Sequence, residues 1–137
     1  MRKLLLLISL ALVLGVGAGV PKPPKMVFRE RIMDIGPVSL SLRDTSLVFY
    51  YKNEGDSALV IHAMYPGCVC MKPVYSKEPL MPGDSTSFNV HYSFSHAGAF
   101  TKTVTISYAA EGGLQLYLTR IAVKGTVVED PCSSCDN

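Results

Sequence analysis

Four cysteines are the residues of this chain best placed to do chemistry: Cys68 and Cys70, one residue apart, and Cys132 and Cys135 close to the C-terminus. Paired thiols form disulfides, hold a soft metal, or exchange electrons. Four cysteines allow three complete pairings, and spacing does not choose among them. A Cys132–Cys135 bond is sterically easy, whereas a Cys68–Cys70 bond along a straight strand lies at the edge of the workable separations. A bond from the tail to the earlier pair closes a loop of roughly 60 residues and adds about 3 to 4 kcal/mol when unstrained. Metal chemistry is the alternative. Cys68, Cys70, Cys132 and Cys135 suit tetrahedral zinc as four thiolates, and thiolates beside His62, Met64 and Met71 suit Cu(I). Zinc knuckles, however, space their cysteines by two to four residues, and Cys68-Val69-Cys70 is shorter. Cys132-Ser133-Ser134-Cys135 has a redox spacing, but Asp136 and the terminal carboxylate beside it oppose thiolate formation. Disulfides without a cofactor are the expectation.

Other reactive constellations are missing from the sequence. No serine lies in a nucleophile-elbow context, no acidic pair stands beside a base, and there is no glycine-rich phosphate loop or metalloprotease helix. His91 falls on an outward strand face, His96 sits in a turn, and His62 lies opposite the apolar Ile61. The chain is therefore expected not to be an enzyme. Asn53, Glu54, Gly55 and Asp56 form a turn-rich loop that is a candidate for contact with a partner.

The oxidation state of the thiols depends on compartment, and the N-terminus addresses that. Arg2 and Lys3 precede an apolar run from Leu4 to Leu14, with small residues at Gly15, Gly17, Ala18 and Gly19. This is the form of an export signal over residues 1–18, cut after Ala18, and it places the chain in the periplasm or outside the cell. The competing reading is a retained anchor, since Leu4 to Val20 approaches bilayer-spanning length. Losing Arg2 and Lys3 leaves 11 basic residues against 11 acidic ones. No basic stripe then remains to grip phosphates, so nucleic acid is not an expected partner. Nor is membrane insertion expected once the signal is gone. Another envelope or secreted protein is.

The remaining residues must position the thiols. Residues 19–25, with Pro21-Lys22-Pro23-Pro24-Lys25, read as a stiff linker, 26–128 as one domain, and 129–137 as a polar tail. Phe88, Val90, Tyr92 and Phe94 alternate with polar residues, as do Val104, Ile106 and Tyr108, which is the period of half-buried strands. Met26–Ile35 reads as one strand closed by Gly36-Pro37. Ser46–Tyr51 and Ala58–Met64 are two more. Leu114, Leu116 and Leu118, followed by Ile121 and Val123, suggest a strand with a bulge where the parity shifts. Pro82-Gly83 suits a type II turn. No helical period appears after the signal. About seven short strands with regular turn signals indicate an all-β, antiparallel sandwich of immunoglobulin type. Alternating strand directions send the tail out of the same pole at which Cys68 and Cys70 begin.

Several ordered fragments carry a family likeness: Asn53-x-Gly55-Asp56-Ser57-x-Leu59-Val60-Ile61, Cys68-x-Cys70, and Tyr75-Ser76-x-x-Pro79-Leu80-x-Pro82-Gly83-Asp84-Ser85. Phe88-x-Val90, Gly98-x-Phe100-x-Lys102-Thr103-Val104-Thr105-Ile106 and Lys124-Gly125 follow. In order and spacing these resemble the bacterial secreted family called domain of unknown function fifteen-seventy-three, over about Ser46 to Val128. That family is related in shape to the major sperm protein and cilia-associated sandwiches. It commonly reads Ser-Cys-Gly-Cys-Thr where this chain has Gly67-Cys68-Val69-Cys70-Met71. The resemblance implies an exported immunoglobulin-like fold and no established reaction.

Overall fold

The computed structural model describes residue 17 and residues 19–130. The expected signal, Gly17 apart, and the tail thiols Cys132 and Cys135 lie outside the described residues. The strands are β1 (Met26–Phe28), β2 (Ile32–Ser39), β3 (Asp44–Asn53), β4 (Leu59–Pro66), β5 (Met71–Val74), β6 (Ser85–Ser93), β7 (Gly98–Ala110) and β8 (Tyr117–Val128). Among the described residues the one helical piece is a 3-10 turn at Leu40–Leu42. Two four-stranded sheets, β1-β3-β6-β5 and β2-β8-β7-β4, stack as an immunoglobulin-like sandwich.

Alternation builds the core. Along β3, Leu47, Phe49 and Tyr51 are buried while Ser46, Val48, Tyr50 and Lys52 face out. Phe88, Val90 and Tyr92 of β6 are buried in the same way, with Asn89 and His91 outside. Phe49 stacks on Phe88 at 5.6 Å between centroids, and Phe28 meets Phe88 edge-on at 6.2 Å. Val104, Ile106, Ile121 and Val123 close the layer from the other sheet.

Two local expectations need correction. Met26–Ile35 is not one strand. The chain leaves the first sheet after Phe28 and enters the second at Ile32. It steps across without reversing, so β2 pairs in parallel with β8, while the other ladders are antiparallel. Gly36-Pro37 lies inside β2, at a register shift where Gly36 takes a φ of +63°. Nor is there a bulge between Leu118 and Ile121. The β7–β8 ladder is continuous from Gly98↔Val127 to Tyr108↔Tyr117, and Leu114, Leu116 and Leu118 stay outside instead. A bulge occurs in β4 between Ile61 and Ala63, which exposes His62 and keeps Met64 inside.

At the upper pole, where β3 and β7 end, Asn53 is fully buried. Its Oδ1 accepts from the Lys25 and Gly55 amides at 3.3 and 3.0 Å. Its Nδ2 donates to the Ser57 and Leu80 carbonyls at 2.8 and 3.0 Å. The Gly83 amide donates to the Asn53 carbonyl at 2.7 Å, from the turn expected at Pro82-Gly83, where φ is +82°. Gly55 passes so close to the linker that a Cβ there would lie 2.1 Å from the Pro23 carbonyl oxygen and 2.7 Å from Pro24 Cα. Both obstacles are backbone and cannot rotate away. Gly55→Ala is expected to destabilise the domain by about 2 to 3 kcal/mol through overpacking, read as a lower urea midpoint at unchanged slope.

Candidate functional site at the lower pole

The lower pole is where β3 and β7 begin and where β4, β6 and β8 end. Cys68 and Cys70 sit there, in the connection from β4 to β5, and are bonded to each other. The connection makes this possible, because it turns: the Met71 amide donates to the Cys68 carbonyl at 3.3 Å, and the two Cα atoms stand 5.2 Å apart. That separation is well inside the normal disulfide range. The straight-strand geometry assumed for this pair does not apply, since β5 starts only at Met71. Val69, between the cysteines, is 97% exposed, while both cysteines are half-buried against the core. The turn is held by the Gly67 amide, which donates to the Thr103 carbonyl at 2.8 Å.

A cleft of about 260 Å³ opens beside the disulfide. Cys70, Tyr92, His96, Phe100, Lys102 and Val127 line it. Ser95 Oγ and His96 Nδ1 lie 2.8 Å apart. Burial pushes the Tyr92 hydroxyl above its ordinary value. Lys102 has the parity of Val104 and Ile106, which places a cation on the inward side of β7 at the open end of the sandwich. Extending the alternation of β7 back by two positions would have found it in the sequence.

The tail leaves from this pole, as strand counting anticipated. Glu129 and Asp130 border a second cleft with Phe94 and Ser95, which also line the first. Asp130 accepts from the Ser39 hydroxyl. Hydrogen bonds from Ser39 and then Ser41 hold its carboxyl below the ordinary aspartate value. A lowered value means that the contact is fully present above the unfolded-state pKa and is lost as pH falls through the folded one. Following the Asp130 carboxyl by NMR through acidification should give a midpoint below that of a free aspartate. In Ser39→Ala the midpoint should move back up.

The other candidate residues are placed as follows. A four-thiolate metal site would require the Cys68–Cys70 bond to be open, and among the described residues no three His, Cys, Asp or Glu side chains cluster. Met64 and Met71 belong to the core, and His62 is exposed. In the upper loop Asn53 and Gly55 are buried, so only Glu54 and Asp56 present their side chains to solvent. Asp56 is engaged as well, its Oδ2 accepting from the Lys22 amide at 3.1 Å. What residue spacing missed is the outer face of β8. Leu116 and Leu118 are 56% and 69% exposed. Leu116 immediately precedes, and Leu118 lies within, a stretch from Tyr117 to Ile121 that β2 does not reach, because the β2–β8 ladder begins at Ala122.

Comparison with known proteins agrees with this architecture. Residues 26–127 match the profile of a family described as protein of unknown function, DUF1573. Among curated proteins, none matches the chain. The ASH/PapD-like domain 7 of human CEP192 superposes with a TM-score of 0.66 at 10% identity, over 85% of this chain and 94% of that one. The YadV chaperone gives 0.58 at 10% identity, over 74% of this chain and 51% of that one. WR4, a member of the major sperm protein family from C. elegans, gives 0.52 at 11% identity, covering 75% and 97%. These are likenesses of fold.

Proposed function

The chain belongs to the DUF1573 family, and on that premise we propose that it is an exported, non-enzymatic module that presents a surface to another envelope or secreted protein. The observation that carries this reading is the half-open edge of β8. Antiparallel sheets usually turn a polar outer face to water, and exposed edges are usually guarded by charge, proline or brevity. Here Leu118 stands on the outer face of a stretch, Tyr117 to Ile121, whose other edge is unpaired among the described residues, and the exposed Leu114 and Leu116 lead into it. Arg120 is the single charged side chain between Tyr117 and Ile121. Thr119 Oγ1, in the middle of that stretch, is buried without a hydrogen-bond partner. Such an edge suits strand addition: backbone groups supply affinity and the leucines supply an apolar footing. The PapD-like and chaperone likenesses are compatible with a binding role and prove none. At the opposite edge of the other sheet, β5 is four residues long and contains Pro73, which blunts it.

A photo-crosslinking residue at position 118, in cells fractionated after irradiation, tests the reading. A discrete adduct in the extracytoplasmic fraction is expected at 118 and not at Asn89, on the outer face of the other sheet. Leu118→Lys should abolish adducts formed from position 116 while changing stability by no more than about 0.5 kcal/mol. Adducts equal at 118 and 89, or none at 118, would overturn the proposal.

A further inference from the structure

The binding role leaves the lower-pole disulfide unused. We propose that the Cys68–Cys70 bond is a thiol-exchange site that accepts an electron pair from a dithiol, rather than a brace for the fold. The first support is how little the bond holds. Its two cysteines stand two positions apart. Closing so short a loop takes little freedom from the unfolded chain, because the stabilisation from a cross-link grows with the length of chain it encloses. Both flanks of the turn are fixed without it. The Gly67 amide donates to the Thr103 carbonyl of β7 at 2.8 Å, and the Ser93 amide of β6 donates to the Cys70 carbonyl at 2.8 Å. Opening the bond therefore leaves the two cysteines facing each other, their Cα atoms 5.2 Å apart, in position to close again. Access is the second support. The turn is tipped by the exposed Val69, and neither cysteine is sealed in the core. The third is chemical. Lys102 lines the same cleft as Cys70, and Cys68 does not line it. An ammonium beside Cys70 stabilises a thiolate departing on that sulfur, which directs the attacking thiol to Cys68.

The class of reductant follows from the same geometry. After a first attack, the Cys70 thiolate stands beside the mixed disulfide at Cys68 and expels a single thiol again. A dithiol escapes this reversal, because its second sulfur closes on its first. In the full exchange one thiolate of the dithiol attacks Cys68 Sγ. A mixed disulfide forms, the Cys68–Cys70 bond breaks, and its electron pair leaves on Cys70 Sγ. The second thiolate then attacks the dithiol's own sulfur in the mixed disulfide, and Cys68 leaves as thiolate. The two protons lost by the dithiol are regained through solvent by Cys68 and Cys70. The sandwich is reduced by two electrons and the dithiol is oxidised by two to a disulfide.

The test uses the full chain carrying Cys132→Ser and Cys135→Ser, which keeps Cys68 and Cys70 as its cysteines. In native buffer, dithiothreitol should reduce the bond at a rate proportional to its concentration and far above the rate of global unfolding. The reduced chain should still unfold cooperatively in urea. Glutathione at the same thiol concentration should give little net reduction. In the reduced chain, limiting iodoacetamide should label Cys70 several-fold faster than Cys68, as mass spectrometry reads. Lys102→Gln should remove most of that preference, and Lys102→Arg should restore it. Reduction no faster than global unfolding, or a reduced chain with no cooperative transition, would overturn the exchange site. Net reduction by glutathione as fast as by dithiothreitol would rule out the dithiol, and labelling unchanged in Lys102→Gln would rule out the cation. Failure of the edge-binding proposal would leave all of these readouts unaffected.

Discussion

Asn53→Ala is expected to destabilise the domain by about 3 kcal/mol or more, out of a total of about 5 to 15 kcal/mol for a domain of this kind. The side chain makes four hydrogen bonds with no solvent access, and together they tie β3 to the linker at Lys25, to its own following loop at Gly55 and Ser57, and to the turn at Leu80. Truncation leaves two amides and two carbonyls short of a partner, each worth about 1 to 3 kcal/mol when water cannot reach it. Partial rehydration at the pole sets the effect toward the lower end of that sum. Equilibrium urea unfolding measures it. Asn53→Asp is a sharper version: the carboxylate keeps both acceptor bonds but loses the two donors and faces the Ser57 and Leu80 carbonyls. Its deficit should shrink on mild acidification, because a protonated carboxyl recovers one donor. A loss below about 1 kcal/mol in the alanine variant would mean that the linker and the Leu80 turn are not held through this residue.

Phe49→Ala is expected to cost about 3 to 5 kcal/mol, the range for emptying a large aromatic site. Phe49 is 1% exposed at the centre of the longest strand of its sheet and stacks on Phe88, which in turn contacts Phe28 and Tyr51. The ring cluster spans β1, β3 and β6, so local collapse into the cavity would break several contacts at once. Leu118→Ala, an equally apolar truncation on the outer face, should change stability by less than about 0.5 kcal/mol. The contrast between these two variants separates residues that hold the fold from residues free to meet a partner. Thermal or urea unfolding of both decides it.

Period-two alternation made β3, β6 and β7 readable, because one face of each meets the opposite sheet and the other meets water. Strand directions were readable too, and they put the cysteine turn and the start of the tail at one end. The step from β1 to β2 was not, since Met33 and Ile35 continue an apolar pattern whichever sheet they join. The leucines of β8 were misread for a related reason: apolar residues were assumed to face inward, and the invented bulge followed from that assumption. Asn53 looked like a turn residue, which it is by type. Its decisive partners at Lys25 and Leu80 stand 28 and 27 residues away, beyond any local signal. The Cys68–Cys70 bond looked difficult because a straight backbone was assumed where the chain bends.

The parallel seam between β2 and β8 has a mechanical consequence. Lys22 stands at the upper end of the sandwich beside Asp56 and Asp130 leaves at the lower end, and both seam strands run the same way between them. Tension applied across those points drags β2 and β8 lengthwise past each other, loading the rungs from Ile32↔Ala122 to Ser39↔Val128 together instead of peeling them singly. A tethered copy of this domain should thus resist stretching far better than pulling at right angles to its long axis.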